Sequence, residues 1–296
     1  MLKKQSDRIQ GFFFILVSAF MYASVPIVGK FAYASGLDAP TALIIRFGIA
    51  FVMLAAYLGF VKRETVIEPS PLILVQGCLL AVECLLYFYG IKYLPAGMTS
   101  VTFFTYPVFV AILAVVVFRE RKFVKLFICI LLALLGIGLI SGIFGNESDL
   151  SSKGIILILS SSLCYAVYSI LGQITLARSG PLSLTSTFVL VSFVVLCLAF
   201  PQKLTLLPHL TAQQWLIGAV LALVNTILAV FFFLKGVQKI GASSAGLIST
   251  VEPPFTLILA SLILGESLSM IQFVGTVLIM TSILVTVYRP SSTEAG

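Results

Sequence analysis

The stretch that most constrains this chain is Ser249-Thr250-Val251-Glu252-Pro253-Pro254, lodged inside an apolar run over residues 242–264. The run is long enough to cross a bilayer as a helix. A carboxylate there loses its water, and each proline removes a backbone N–H and frees a carbonyl one turn back. At ~1.5 Å per residue, Glu252 lies ~15 Å into the span, about half of a ~30 Å hydrocarbon core. An ionisable group at the midplane beside a weakened helix marks a permeation or substrate site. The rest of the chain must shelter this point from lipid.

The composition supplies that shelter. Of 296 residues, 60% are hydrophobic and only 10% charged, whereas a soluble domain carries about a quarter charged residues. The expected fold class is an all-α polytopic membrane protein. Ten apolar runs can be marked, at about residues 11–35, 40–61, 71–94, 96–118, 123–144, 154–177, 183–200, 213–237, 242–264 and 268–288. Each has the length of a helical crossing. Leu94-Pro95-Ala96-Gly97 is a tight re-entry between the third and fourth. The formal net charge of +7 does not point to nucleic acid, because the cations cluster at the ends of apolar runs and form no continuous basic face. Lipid headgroups are the expected partner. The first run, preceded by Lys3, Lys4 and Arg8, is too long for a cleaved signal and reads as a retained helix. The five cysteines all lie inside apolar runs and form no C-x-x-C pair. They read as packing residues, with no metal and no cofactor expected.

Lys and Arg set the orientation. With the N-terminus in the cytoplasm, Lys3, Lys4, Arg8, Lys62, Arg63, Arg119, Arg121, Lys122, Lys125, Arg178, Lys239 and Arg289 fall inside, against Lys92, Lys153 and Lys203 outside. Both termini are expected in the cytoplasm. The chain also repeats itself. The segment from Gly11 to Tyr22-Ala23 resembles that from Gly154 to Tyr165-Ala166, and Gly90-Ile91-Lys92-Tyr93-Leu94 resembles Gly236-Val237-Gln238-Lys239-Ile240. Tyr106-Pro107 falls where Glu252-Pro253 falls, and Glu120 where Glu266 falls. Five spans, a polar linker at 145–153 and five more spans result. An odd number of spans per repeat inverts the second repeat relative to the first, and inverted repeats hold substrate at their interface near the midplane. The expected units are residues 1–146 and 150–290, each a five-helix repeat, with a disordered tail at 291–296.

With Gly236, Glu252-Pro253, Leu264-Gly265-Glu266 and Gly275 in place, the chain resembles the drug/metabolite transporter superfamily, specifically its EamA-type two-repeat exporters. The resemblance covers about residues 10–288. The first repeat departs from it at Tyr106, which carries no acid before Pro107. The resemblance implies ten helices as two inverted five-helix repeats. It implies a central cavity lined by the first, third, fourth, sixth, eighth and ninth spans, and a monomer containing both repeats. It also implies export of small metabolites, including amino acids and related compounds.

The candidate substrate-binding residues are Tyr22, Lys30, Glu83, Tyr87, Thr102, Tyr106, Tyr165, Asn225, Ser249 and Glu252, with helix kinks at Pro26, Pro107, Pro253 and Pro254. Tyr22 and Tyr165 are repeat-related and sit at matching depth. Thr99, Thr102 and Tyr106 share one stripe, and Ser249, Glu252 and Thr256 another. Asn225 is the only strongly polar mid-span residue of the eighth run. Glycines and serines on these faces read as helix–helix packing. Rings interleaved with hydroxyls suit a small amphipathic solute. Four ionisable residues lie within spans: Lys30, Arg46, Glu83 and Glu252. Lys30 and Arg46 can snorkel to the outer surface or pair with an acid. For Arg46 a structural or interfacial role is expected; for Lys30 the choice stays open. Glu83 and Glu252 are too deep to snorkel. Desolvation there favours the neutral acid, so either can carry a coupling proton or accept a substrate ammonium.

These residues predict a secondary transporter of a small organic metabolite in a bacterial inner membrane. Its energy would come from a proton or solute gradient, since no nucleotide-binding loop is present. An exchanger or importer of anionic metabolites, with Lys30 and Arg46 as clamp, is the alternative. A membrane enzyme would need a nucleophile with its base, or a metal set. The only histidine, His209, falls in the loop at 201–214, and no H-E-x-x-H occurs. A scaffold without transport would not need acids at the midplane.

Overall fold

The computed structural model describes residues 2–68, 70–118, 123–140, 151–175 and 180–287. The expected tail at 291–296, Glu120 and linker residues 145–150 lie outside them. Among the described residues there is no strand. In chain order the helices are α1 (Leu2–Ala23), α2 (Val25–Ala34), α3 (Ala39–Ala56), α4 (Pro71–Ile91), α5 (Ala96–Phe103), α6 (Tyr106–Phe118), α7 (Phe123–Ile140), α8 (Ser152–Thr175), α9 (Pro181–Ala199), α10 (Pro201–Leu204), α11 (Ala212–Ala222), α12 (Ala229–Ile240), α13 (Ala242–Ser249), α14 (Glu252–Leu264) and α15 (Met270–Val287). A π-helical turn at Tyr57–Lys62 continues α3, and another at Leu223–Leu228 joins α11 to α12.

Among the described residues, six helical runs are long and apolar enough to cross a membrane: Arg8–Ala34, Ala39–Lys62, Pro71–Ile91, Ser152–Gly172, Pro181–Ala199 and Ala212–Ile240. Shorter apolar helices cover Ala96–Val110, Glu252–Leu264 and Met270–Ser282. The surface matches a lipid solvent. Phe60, Leu198, Leu262 and Met270 are each more than 70% exposed, while Arg46, Gln76, Glu83, Ser161, Asn225 and Thr256 are buried. A water-soluble fold has the reverse distribution. The chain is a polytopic helical membrane protein.

Three of the apolar runs are broken, and each break precedes a proline. α1 gives way to α2 at Ser24, α5 to α6 at Phe104-Thr105, and α13 to α14 at Thr250-Val251. In each case the proline (Pro26, Pro107, Pro253) is the second residue of the new helix. That position tolerates proline because its N–H has no intrahelical acceptor. A proline ring clashes with the carbonyl four residues earlier and gives it no N–H, which stops the preceding helix from running through. α8 has no proline and runs unbroken over the segment that matches α1.

The segments that resemble each other in sequence make the same crossing twice. A Cβ on Gly90 of α4 would collide with Ile158 of α8, and one on Gly154 with Leu94. A Cβ on Gly236 of α12 would collide with Ile15 of α1, and one on Gly11 with Ile240. Gly11 and Ile15 stand where Gly154 and Ile158 stand, four residues apart on one face. Glycine at the crossing lets two backbones approach where lipid gives no hydrophobic drive between helices. α7 packs along α15, and α3 along α9.

Contacts tie several of the connections to one another. Lys203, on α10, pairs with Asp38, which caps α3. The Gln214 side chain donates to the Ser35 carbonyl at 2.8 Å, and Lys153 lies over the Tyr93 ring. These contacts join the segments after α2, after α4, before α8, after α9 and before α11. At other helix ends, the Glu68 N–H bonds Thr187 Oγ1 at 2.9 Å, and Gly11 packs on Lys239 and Ile240.

Candidate functional site

The three breaks meet in the interior and are stitched together there. Pro107 frees the carbonyl of Phe103, four residues earlier, and Ser162 Oγ of α8 donates to it at 2.9 Å. At the α1–α2 break, Asn225 Nδ2 donates to the Met21 carbonyl at 2.5 Å and to Ser24 Oγ at 2.7 Å. Thr256 Oγ1 of α14 donates to the Ala23 carbonyl at 3.1 Å and to Ser100 Oγ of α5 at 3.0 Å. Backbone carbonyls at helix breaks inside a membrane need such partners. Asn225 sits in the π-helical turn, fully buried, and its Oδ1 has no partner among the described residues.

Beside these breaks lies a connected cluster of rings. Tyr106 and Tyr165 meet edge-on with centroids 4.7 Å apart, and Tyr87 meets Phe103 edge-on at 5.0 Å. Phe103 also contacts Tyr165 at 5.4 Å, and Tyr165 contacts Tyr168 at 5.8 Å. Tyr22 completes the group within electrostatic range of Tyr165. The rings come from α1, α4, α5, α6 and α8, so residues scattered over 147 positions, Tyr22 to Tyr168, build one surface. Tyr22, Tyr106, Tyr165 and Tyr168 are half-buried although they sit among packed helices.

Glu252 is the first residue of α14 and is half-buried. Its carboxylate lies in electrostatic range of Tyr22, Tyr87, Tyr106 and Tyr165. Among the described residues it meets no hydrogen-bond donor and no cation. Its backbone carbonyl accepts from Thr256 Oγ1 at 3.2 Å, and that is the local bond of an ordinary helical turn.

Glu83 is held otherwise. It is 6% exposed. Ser161 Oγ of α8 donates to its Oε1 at 3.1 Å and to its carbonyl at 3.0 Å, and Cys84 Sγ donates to Oε2 at 3.1 Å. Arg46 of α3 is the cation in its range. The Arg46 guanidinium is itself tied down: Nε donates to Thr226 Oγ1 at 2.9 Å, and a terminal nitrogen reaches the Asn225 carbonyl at 3.4 Å. Arg46 is 8% exposed, so it does not snorkel to an interface; it takes the structural role.

The other sequence candidates fall in different places. Lys30 of α2 is half-buried and has Glu266 as the acid within range, away from Glu83 and Glu252. Glu266 in turn accepts from the N–H groups of Ala96 and Gly97 at 2.7 and 3.0 Å. It serves α5 as an N-cap supplied from 170 residues away, because the local cap residue Pro95 has no side-chain oxygen. Thr102 is buried, at 1% exposed. Ser249 Oγ donates back to the Ala245 carbonyl at 2.9 Å, within its own helix. The sequence reading named Arg46 as structural or, in the alternative, as an anion clamp, and left Phe103, Cys84 and Thr226 out of the candidate set. The partner of Arg46 had a signal: Asn225-Thr226 is a polar couple in the eighth run that can take a guanidinium. Nothing in the residue pattern distinguishes Phe103 from Phe104.

Comparison with known proteins places this geometry. A family model described as the EamA-like transporter family matches residues 9–142 and again residues 152–288. A protein of Synechocystis named as uncharacterized transporter sll1319 is 31% identical over 228 residues, covering 74% of this chain and 67% of that protein. The Bacillus subtilis protein named as uncharacterized transporter YetK is 25% identical over 291 residues, covering 95% and 84%. The threonine/homoserine exporter RhtA of Escherichia coli is 23% identical over 239 residues, covering 81% and 78%. A solved crystal structure superposes with a TM-score of 0.63 at 16% identity, covering 95% of this chain and 96% of that one, a likeness of fold alone.

Proposed function

The chain belongs to the EamA-like transporter family, and from that premise we propose that it is a secondary transporter, an exporter, of small organic metabolites such as amino acids and related compounds. It works by alternating access around the ring cluster and Glu252. The observation that carries this reading is the Glu252 carboxylate: half-buried, at a helix break, facing four tyrosines, with no donor or cation among the described residues. A fold keeps such a group for use, by a substrate ammonium or a coupling proton.

In this reading ten helical crossings form two inverted five-helix repeats, residues 1–146 and 150–290, in a bacterial inner membrane with both termini in the cytoplasm. The twofold echo of crossings supports it: α4 with α8 matches α12 with α1, while α3 with α9 and α7 with α15 are their own counterparts. The meeting of alternate connections at one end supports ten crossings. The anion-clamp alternative lacks a free cation among the described residues, because Arg46 is bonded to Thr226 and Asn225 and Lys30 lies by Glu266.

The mechanism follows from the parts. The rings take the apolar body of a solute, and Glu252 takes its positive end, so the solute replaces the water the carboxylate has lost. The breaks at Ser24, Phe104-Thr105 and Thr250-Val251 allow short half-helices to tilt while α4, α8 and α9 stay whole. Flux of labelled amino acids and amines in proteoliposomes, with and without a pH gradient, tests the proposal. Gradient-dependent flux of at least one such solute is expected. Its absence across the panel rejects the transporter reading.

A further inference from the structure

Resting on the transport reading, we infer that the Glu266 carboxylate is a latch between the two repeats. It holds one end of the solute path shut in the conformation seen here, and its release opens that end. Glu266 follows α14 in the second repeat, and its two oxygens accept from two successive N–H groups, Ala96 and Gly97, at the start of α5 in the first. Lys30 of α2 is the cation within range of the same carboxylate. Other caps are local: Asp38 serves α3 and Thr211 serves α11, each from the residue before its own helix. Below Glu266 the seam continues. A Cβ on Gly97 would collide with Leu257 of α14, Ile27 of α2 packs with Ala96 and Ala260, and Thr256 bonds both Ser100 and the Ala23 carbonyl. Three half-helices beside the proline breaks, α2, α5 and α14, thus close on one another from the carboxylate inward.

The repeat-related end is built differently. α13 stands where α5 stands, and α6 where α14 stands, each pair equal in length. Every residue of α5 from Ala96 to Thr102 is buried. On α13, Ser244 is exposed and Gly246, Ile248 and Ser249 are half-buried, and a Cβ on Gly246 meets no described atom within 4 Å. α13 keeps α1 and α12, the counterparts of α8 and α4 beside α5. Among the described residues it has no packing on α6 or α8 comparable to that of α5 on α14 and α2. A difference of this kind, between matching helices beside the breaks, is what a path with two states produces. In the orientation proposed above, the path is shut at the outer end and open to the cytoplasm. In the opposite state α13 closes on α6, and α5 parts from α14. The Ala96 and Gly97 N–H groups then face water at the membrane surface, and water takes the place of the carboxylate, so the latch is reversible.

Amide hydrogen exchange of the full chain in lipid nanodiscs reads both ends at once. In the wild type α5 exchanges more slowly than α13. Glu266→Gln keeps the size of the side chain but turns an amide N–H2 toward one of the two backbone donors. Exchange in α5 then rises about tenfold. The molecules that leave the latched state close the other end, so exchange in α13 falls at least about twofold. Gly97→Val wedges against Leu257 and leaves the carboxylate in place, and it moves both segments in the same directions. Thr211→Ala, the loss of a local cap, moves neither. Faster exchange in α5 with α13 unchanged makes Glu266 a helix cap and no more, and overturns the inference; so does no change in either segment. If Glu266→Gln does not fold, Gly97→Val decides alone. Flux of labelled solutes in proteoliposomes keeps the two readings apart. Reciprocal exchange with no solute carried leaves the latch and defeats the transport reading. Flux with α13 unmoved in the variants leaves a transporter and defeats the latch.

Discussion

Glu83 and Glu252 are the same side chain at similar depth in apolar runs, and the protein treats them in opposite ways. Glu83 sits on an unbroken helix and is met by a serine, a cysteine and, at longer range, an arginine. Glu252 opens a helix directly after a break and meets none of these among the described residues. Under the proposed function, depth alone therefore does not mark the working acid. Local backbone does: an unbroken helix such as α4 brings neighbours on both sides against its side chains, whereas a break holds a side chain away from its own preceding turn. The first repeat repeats the lesson. Its break at Phe104-Thr105 leads into Tyr106, a phenol where the second repeat has its acid.

The contrast can be broken most forcefully at Arg46. Arg46→Ala leaves Glu83 without its cation and the Asn225-Thr226 turn without its donors, at a cost of about 3–5 kcal/mol. Adding Glu83→Gln recovers part of that loss, because the uncompensated charge is gone. Unfolding of the single and double variants in one detergent measures both; a wild-type-like Arg46→Ala would show that Glu83 is not held as described. Next in size is Tyr165→Ala, which removes contacts with three rings and lowers solute affinity about tenfold, while Tyr165→Phe stays within about threefold. Ser161→Ala touches only the Glu83 side, costs about 1 kcal/mol of stability and leaves flux unchanged. Flux that falls with Ser161→Ala would join the two acids into one site.

The smallest effect lies outside the spans. Burial by itself pushes the Asp38 carboxyl up, but the bonds from Lys203 and Thr41 outweigh it and hold the group below the usual carboxylate range. A depressed carboxyl gives stability above its unfolded value of about 3.9 and loses it as pH falls through the lower folded value. Asp38→Asn is thus less stable than wild type by a few tenths of a kcal/mol at pH 7, discounted for its exposure. The two chains converge below the folded value. A difference that persists there would place the Asp38 contribution in packing.

Much of the fold was legible because lipid imposes simple rules. Apolar runs long enough to span, prolines that must interrupt them and glycines at matching offsets translate directly into helices, breaks and crossings. The break sites at Pro26, Pro107 and Pro253 fell where the prolines require. The helix starts are less legible: α1 begins at Leu2, well before the apolar run, because polar residues continue a helix beyond the hydrocarbon. The site was half legible. Tyr22, Tyr106 and Tyr165 gather as their stripes imply, yet Thr102 and Ser249 share those stripes and are occupied by packing or their own helix. Which face of a broken helix looks inward depends on the bend, and periodicity counted across the break does not carry it. Nor does the sequence tell that Glu266 would cap α5, since a cap from 170 residues away leaves no local pattern.

Solute flux through Glu252→Gln and Glu83→Gln, reconstituted side by side at equal protein in proteoliposomes, tests the central claim most directly. The account predicts that Glu252→Gln loses about a hundredfold, the worth of one charge-assisted contact, while folding at least as stably as wild type. Glu83→Gln is predicted to keep flux within about tenfold and to lose stability instead, its cost being that of a buried hydrogen-bonded group. Flux lost in Glu83→Gln and retained in Glu252→Gln would contradict the account.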